Sequence, residues 1–308
     1  MPPSSPSPAR RWAEHTVAAD EAGRTVEEIL TGSLGVSRRM IQRLTRARGI
    51  LLNRKPAFLA RKVRAGDVVA ARVAPEEEPG LEPVPMDLSI VHQDAEVLVL
   101  DKPPFLLVHP TSPEQGRTLA HGVAHYEQER GVRTRVRPVH RLDRDTSGLV
   151  LFARTAHAQT QLDRQLRERE MTREYLALVD GVVREEAGTV DAPIGRHARM
   201  PHLRAVRPGG EPAVTHFRVE ERFPAATLVR LRLDTGRTHQ IRVHLAHLGH
   251  PVLGDRQYGR AGLRMIGRQA LHAAHLAFTH PATGERMAFE VPLPEDMARL
   301  REELGGGR

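Results

Sequence analysis

Two short segments of this chain carry side chains able to do chemistry. The first, His140–Arg154, reads HRLDRDTSGLVLFAR. Asp143 stands between Arg141 and Arg144, and an apolar run follows at once. Nearby guanidinium groups favour the ionised carboxylate, lowering an Asp pKa by roughly 1–3 units. Asp143 is therefore expected to be a charged, positioned carboxylate. The same pattern also suits a surface ion-pair loop, and the residues alone leave both readings open. The second segment, Thr235–Val243, reads TGRTHQIRV and offers Arg237, Gln240 and Arg242. Arg242 follows Ile241, near a helix face able to look into a pocket. An Asp–Arg pair joining the two segments is also a common structural device. Ser147 lies in DTSGLV rather than GxSxG, so it reads as a turn support and not as a nucleophile.

Other chemistries find little support. His244, His247 and His250 recur at spacings of three, but no HExxH, cysteine or carboxylate at ligand spacing accompanies them. Gly249 is expected to end the helix before His250. No metal is expected. There is no GxxxxGK[ST], and no GxGxxG between a strand and a helix, so ATP, GTP and NAD are not expected. The absence of cysteine excludes a disulfide scaffold, a thiol nucleophile and an iron–sulfur cluster.

These segments need elements to hold them. Thr25 to Glu28 has capping-box spacing, with Val26, Ile29 and Leu30 following at helical spacing. Ser37 is expected to cap a second helix with Met40, Ile41 and Leu44 on one face and Gly49 as its stop. Arg38, Arg39, Arg43, Arg46 and Arg48 occupy its other positions. A short extended run Ile50–Leu52, a turn at Asn53, and a strand–turn–strand over Lys62–Val73, bent at Ala65–Asp67, complete a small α-then-β unit. Residues 75–85, PEEEPGLEPVP, read as a proline-stiffened linker.

Beyond it, strands are expected at Val97–Leu100, Leu149–Ala153, Tyr175–Val179, Val214–Val219 and Leu228–Leu233. Asp180-Gly181 is a hairpin-type turn signal. Helices are expected from Thr155, its cap, to Glu170 and over Thr238–Leu248. A last strand pair flanks Pro281–Gly284. The order points to an α+β fold built on a mixed, mainly antiparallel sheet. The expected boundaries are a disordered head 1–14, a small domain 15–74, the linker 75–85, a large domain 86–300 and a tail 301–308.

The chain has 308 residues and a formal charge of +8. The first 75 residues hold 14 Lys and Arg against 6 Asp and Glu; the remainder holds 32 against 32. The whole excess sits in the N-terminal quarter, which suggests an anionic partner held there. No apolar stretch reaches the ~18 residues of a membrane span, and the start lacks the apolar core of a signal peptide. A cytoplasmic protein is expected, and a monomer for want of an apolar surface signal.

The chain resembles the RluA/RluD-type pseudouridine synthases over most of its length. The carriers are Ile90–Pro110 (IVHQDAEVLVLDKPPFLLVHP), the HRLDRDTSGLVLFAR segment, Arg173–Gly181 (REYLALVDG), Leu231–Gly259 (LRLDTGRTHQIRVHLAHLGHPVLGDRQYG) and Leu271–Glu285 (LHAAHLAFTHPATGE). The N-terminal unit resembles an S4-type RNA-binding domain, as in members acting on large-subunit ribosomal RNA. It departs from the VNGKP of many relatives at Arg54, in Leu52–Pro56, a turn position where glycine accommodates positive φ.

The resemblance implies isomerisation of uridine to pseudouridine in RNA, ribosomal RNA first and transfer RNA second, without cofactor or metal. It implies Asp143 as catalytic nucleophile or base and Tyr175 as the residue stacking on uracil and assisting proton transfer. Arg242 would pair with Asp143 as the partner a buried carboxylate requires, and Arg141 would fill the space left by the flipped base. Arg38, Arg39, Arg43 and Lys55 would grip RNA. A non-catalytic RNA-binding assembly factor is the rival class, but it has no need to keep Asp143, Tyr175 and Arg242 together.

Overall fold

The computed structural model describes residues 11–36, 38–46, 48–73, 81–112, 116–132, 135–259 and 265–306. Two compact units emerge, one within residues 1–79 and a larger one formed by Gly80–Val132 and Val136–Arg308. The division falls inside the acidic, proline-rich stretch. Residues 75–80 of that stretch lie outside the described residues, and 81–85 form no regular element.

The small unit holds strand β1 (Arg11–Thr16), helices α1 (Val26–Thr31) and α2 (Arg38–Arg46), and strands β2 (Ile50–Leu52), β3 (Lys55–Pro56) and β4 (Val68–Val73). Its strands form one antiparallel sheet in the order β1-β4-β2-β3. Thr25 caps α1 reciprocally: its hydroxyl accepts the Glu28 N–H at 3.2 Å, and the Glu28 carboxylate accepts the Thr25 N–H at 2.7 Å. Val26, Ile29 and Leu30 are fully buried, with Ile41, Leu44 and Val69 in the same core. A side chain of that size buried completely contributes about 1.5–3 kcal/mol. Ser37, the expected cap of α2, lies outside the described residues.

Two expectations need correction here. The head does not extend to residue 14, because Arg11–Thr16 pairs with β4 as an edge strand. Lys62–Val73 is not a hairpin: only Val68–Val73 is a strand, and Lys62 makes a lone bridge to Thr25. The bend is present, with Gly66 at φ 86°. The turn at Asn53 and Arg54 does take positive φ, 50° and 65°. Asn53 secures it by accepting the Val68 N–H and donating to Asp67, both at 2.8 Å.

The large unit runs β5 (Ile90–Gln93), β6 (Val97–Lys102), α3 (Leu119–Glu129), β7 (Arg137–Pro138), β8 (Ser147–Ala153), α4 (Ala156–Arg167), β9 (Thr172–Asp180) and β10 (Ala187–Asp191). It continues through β11 (Ile194–Arg196), β12 (Arg204–Val206), β13 (Val214–Arg222), β14 (Ala226–Leu233), α5 (Gln240–His247), β15 (Leu271–Thr279), β16 (Arg286–Glu290) and α6 (Glu295–Gly305). Its main sheet follows the order β10-β13-β14-β9-β15-β8-β6-β5, with β7 also on β8 and β16 on β15. β11 and β12 form a separate hairpin. Among the described residues only β15 and β8 pair in parallel, so the mixed, mainly antiparallel sheet is as expected. Thr155 caps α4 by accepting the Ala158 N–H at 3.0 Å, and Ala158 and Leu162 are buried beneath it.

The turn signal at Asp180-Gly181 does not close a hairpin: the chain crosses to the far edge, where β10 pairs with β13. The tail does not begin at residue 301, since residues 301–305 belong to α6. Helix α5 starts at Gln240 and not Thr238, because His239 turns left-handed at φ 58°.

The parallel contact of β15 and β8 sets up the site. It is confined to His272↔Ser147 and Ala273↔Gly148; beyond it β16 takes over the edge of β15. Gly148 has φ 109°, and a Cβ there would stand 2.2 Å from the Ala273 carbonyl oxygen. Only glycine allows the strands this approach.

Candidate active site

Asp143 lies in the loop between β7 and β8, where β6 also ends: Lys102 pairs with Gly148. A loop carrying a reactive group must be held by its surroundings, and five consecutive residues here are tied, each in its own way. Asp143 Oδ2 accepts from Arg242 Nη1 of α5 at 3.0 Å. The Arg144 carbonyl accepts from Lys102 Nζ of β6 at 3.0 Å. The Asp145 carbonyl accepts from Arg268 Nη1 at 3.1 Å, and Thr146 Oγ1 from Gln269 Nε2 at 3.2 Å. Ser147 Oγ and His272 Nδ1 of β15 share a hydrogen bond of 2.9 Å. Ser147 is thus a structural support, as its context suggested.

The supporting cations are themselves deeply held. Lys102 is wholly buried, and the carbonyls of Pro103, Leu106 and Arg144 take one ammonium hydrogen each, at 2.8, 2.8 and 3.0 Å. Burial, with Arg268 adding to it, pulls its pKa down to about 7. Arg268 makes a two-pronged contact with Asp296 of α6, at 2.7 and 2.8 Å. It also donates to the carbonyls of Gln269 and Leu271 at 3.1 and 3.2 Å.

Arg242 is the centre of the cluster, but Asp143 is not its main partner. Asp255 takes two bonds, from Nε at 2.6 Å and from Nη2 at 2.8 Å, and Gln257 Oε1 accepts from Nη2 at 2.8 Å. The Asp255 side chain is 0% exposed against 25% for Asp143. Asp255 also accepts the N–H groups of Gln257 and Tyr258, at 2.9 and 3.1 Å. The expectation that Arg242 serves a buried Asp143 is corrected accordingly: the buried carboxylate is Asp255, and Asp143 receives the one guanidinium edge left over. Burial opposes the charge on Arg242, but the hydrogen bonds and both carboxylates outweigh it and lift its pKa above the ordinary arginine value. Gly254 lets the Asp255 segment come close, at φ 72° with a would-be Cβ 2.1 Å from the Arg268 carbonyl oxygen.

Tyr175 sits in mid-β9, paired with Leu231 of β14 on one side and Ala273 of β15 on the other. Ala273 is the residue facing Gly148, so Tyr175 is aligned across the sheet with the base of the Asp143 loop. Its side chain is buried. Burial raises the phenol's pKa, and the Asp143 carboxylate raises it further. The phenol therefore keeps its proton at neutral pH. Tyr258 borders the cluster: its ring centroid lies 5.0 Å from the Arg242 guanidinium carbon, and its hydroxyl meets His239 Nδ1 at 2.8 Å and accepts the Arg204 N–H at 2.9 Å.

The structure thus brings Asp143 and Arg242 into contact and sets Tyr175 beside them. Arg141 is exposed on the same loop. Arg38 on α2 and Lys55 on β3 are exposed on the small unit; the side chains of Arg39 and Arg43 lie outside the described residues. Sequence reasoning missed Asp255, Gln257, Tyr258, Lys102 and Arg268. Among the described residues no group of three or more His, Asp or Glu is arranged to hold a metal ion. His244 is a core residue, with Nδ1 on Thr215 Oγ1 and Nε2 on the Ala192 carbonyl, both at 2.9 Å. No helix among the described residues is long and apolar enough to cross a membrane.

A family model described as RNA pseudouridylate synthase matches residues 96–247, the stretch from β6 to α5. A Vibrio vulnificus protein named ribosomal large subunit pseudouridine synthase D is 45% identical over 256 residues, 79% of this chain and 78% of its own. An Escherichia coli K12 protein of the same name is 40% identical over 304 residues, 94% of this chain and 93% of its own. A Bacillus subtilis protein named as an uncharacterized RNA pseudouridine synthase is 42% identical over 87% of this chain and 89% of its own. Among solved structures, human RNA pseudouridylate synthase domain containing 1 superposes with a TM-score of 0.57 at 28% identity, covering 73% of this chain and 97% of its own.

Proposed function

The chain belongs to the RNA pseudouridylate synthase family, and on that premise we propose that it isomerises uridines of large-subunit ribosomal RNA, with Asp143 as the catalytic carboxylate. The reaction breaks the C1′–N1 bond, turns the uracil and joins C1′ to C5. A proton leaves C5 and one is gained at N1, so the atoms balance without redox change. A carboxylate close to C1′ serves as nucleophile or base.

One observation carries this assignment. Arg242 binds two carboxylates, but only Asp143 keeps an exposed face, at 25% against 0% for Asp255. Asp255 supplies the structural pairing, and Asp143 is held by the same cation yet open to a substrate. The ties on residues 144–147 fix its position in advance, which is how positioning lowers a barrier.

The other roles follow from position. Tyr175 keeps its proton beside the Asp143 loop, and the family resemblance gives it the role of stacking on the freed uracil and assisting proton transfer. Arg141, exposed beside Asp143, fills the gap in the RNA once the uridine is flipped out, at a cost of a few kcal/mol in unstacking. The N-terminal unit acts as an S4-type handle, with Arg38, Arg39, Arg43 and Lys55 on phosphates. The names of the Vibrio and Escherichia relatives support ribosomal RNA as the substrate, which implies a cytoplasmic enzyme.

The test is to map pseudouridine in total RNA from cells with the gene, without it, and with an Asp143→Ala copy. Large-subunit sites missing in both the deletion and the mutant are expected. Sites restored by the Asp143→Ala copy would give the catalytic role to another residue, and sites lost in transfer RNA alone would overturn the substrate.

A further inference from the structure

The turn after β6 presents a residue that the scheme above leaves unused. Phe105 has φ 64°, in the left-handed region, where a bulky side chain is an outlier and glycine is at ease. It is also 54% exposed. Of the seven phenylalanines, only Phe58 and Phe105 are exposed. Among the described residues the Phe105 ring has no aromatic or guanidinium neighbour. A strained backbone and a largely exposed apolar ring thus coincide at one residue. Such an outlier points towards a function.

Its location narrows the function. Lys102 Nζ holds the Leu106 carbonyl at 2.8 Å and the Arg144 carbonyl at 3.0 Å. Two oxygens on one nitrogen lie at most about 6 Å apart by hydrogen-bond lengths. Phe105 is therefore one residue from an atom that near the carbonyl of Arg144, the residue after Asp143. The Arg144 side chain, on the same loop, is 65% exposed. An exposed ring, an exposed guanidinium and a positioned carboxylate together suit a nucleotide next to the reacting one: the ring for its base, the guanidinium for its phosphate.

We propose that Phe105 is a stacking platform for an RNA base flanking the target uridine, held beside Asp143 by the Lys102 ammonium. This rests on the reading of Asp143 as the reacting group. The strain at Phe105 is then the cost of aiming a ring at substrate, and stability and RNA affinity should separate on mutation.

The experiment compares wild type, Phe105→Gly and Phe105→Trp on a large-subunit ribosomal RNA transcript labelled with tritium at uridine C5. Label release reports turnover, fluorescence anisotropy reports RNA binding, and thermal unfolding reports stability. Phe105→Gly should melt no lower than wild type, keep kcat within about twofold, and raise KM and Kd about 10-fold, inside the range of one stacked base. Phe105→Trp should bind as wild type does. Unchanged KM and Kd in the glycine variant would overturn the proposal, as would a lower melting temperature with kcat falling. If wild type binds but releases no tritium, the anisotropy decides alone: weaker binding by Phe105→Gly upholds the platform while the isomerase reading fails, and equal binding overturns both.

Discussion

The two units use the same charged residue types in opposite ways. In the large unit one guanidinium, Arg242, is committed to four hydrogen bonds with Asp143, Asp255 and Gln257. In the small unit, residues 29–66 carry ten Lys and Arg and no acid. The acids flanking that stretch serve the unit's own fold. Glu28 closes the α1 cap. Glu21 accepts from His15, Ser33 and the Ala18 N–H, which hold its pKa at about 2. Asp67 accepts from the Arg64 N–H and Asn53, which lower its pKa. Chemistry at one atom needs charge fixed in place and partly shielded from water. Gripping a polyanion needs positive charge that is exposed and left free for phosphates.

The comparison can be broken first at Arg242. Asp255→Asn should destabilise the protein by about 3–5 kcal/mol, because it takes the buried carboxylate from a buried guanidinium, whereas Asp143→Asn, at the part-exposed partner, should cost distinctly less. Urea unfolding of the two variants measures this. Equal losses would mean that Arg242 does not divide its partners between structure and chemistry.

Next comes pH. Burial depresses His140 to about 3 and His272 to about 4. Below pH 6.5 the unfolded chain binds protons that the folded imidazoles refuse, so stability falls as pH falls from about 6.5 towards 4. At pH 5 the loss should be about 2 kcal/mol per histidine. Unfolding midpoints at pH 7 and pH 5 check it, and His272→Gln should flatten the dependence.

The smallest effects belong to the basic unit. Arg38→Ala and Lys55→Ala should leave the melting temperature unchanged, weaken RNA binding a fewfold, and each reduce the salt slope of log K by about 0.7. Filter binding across a salt series reads this. An unchanged slope would remove the residue from the handle.

Much of this was legible in the sequence, but not from one kind of signal. Periodicity located the buried face of α1, and the cap at Thr155 and the extended run Leu228–Leu233 located α4 and β14. The contact between Asp143 and Arg242, 99 residues apart, came through the family resemblance; no local pattern announces it. Asp255 went unread because its bond to Arg242 crosses an irregular loop of no period. Its position after Gly254 was the available clue, since a glycine forced by close approach marks a tightly packed segment. Lys102 and Arg268 act on backbone carbonyls, and a carbonyl has no sequence identity. Asp180-Gly181 marked a turn correctly, but a turn does not say which strand the chain joins next. β1 was missed because RWAEHT is polar, as an edge strand can afford to be.

The most direct measurement is tritium release from C5-labelled large-subunit ribosomal RNA by wild type and Asp143→Asn, with urea unfolding on the same samples. The account predicts that Asp143→Asn unfolds cooperatively, loses less stability than Asp255→Asn, and releases no label above background. Release by Asp143→Asn at the wild-type rate would contradict the assignment of Asp143 as the reacting carboxylate.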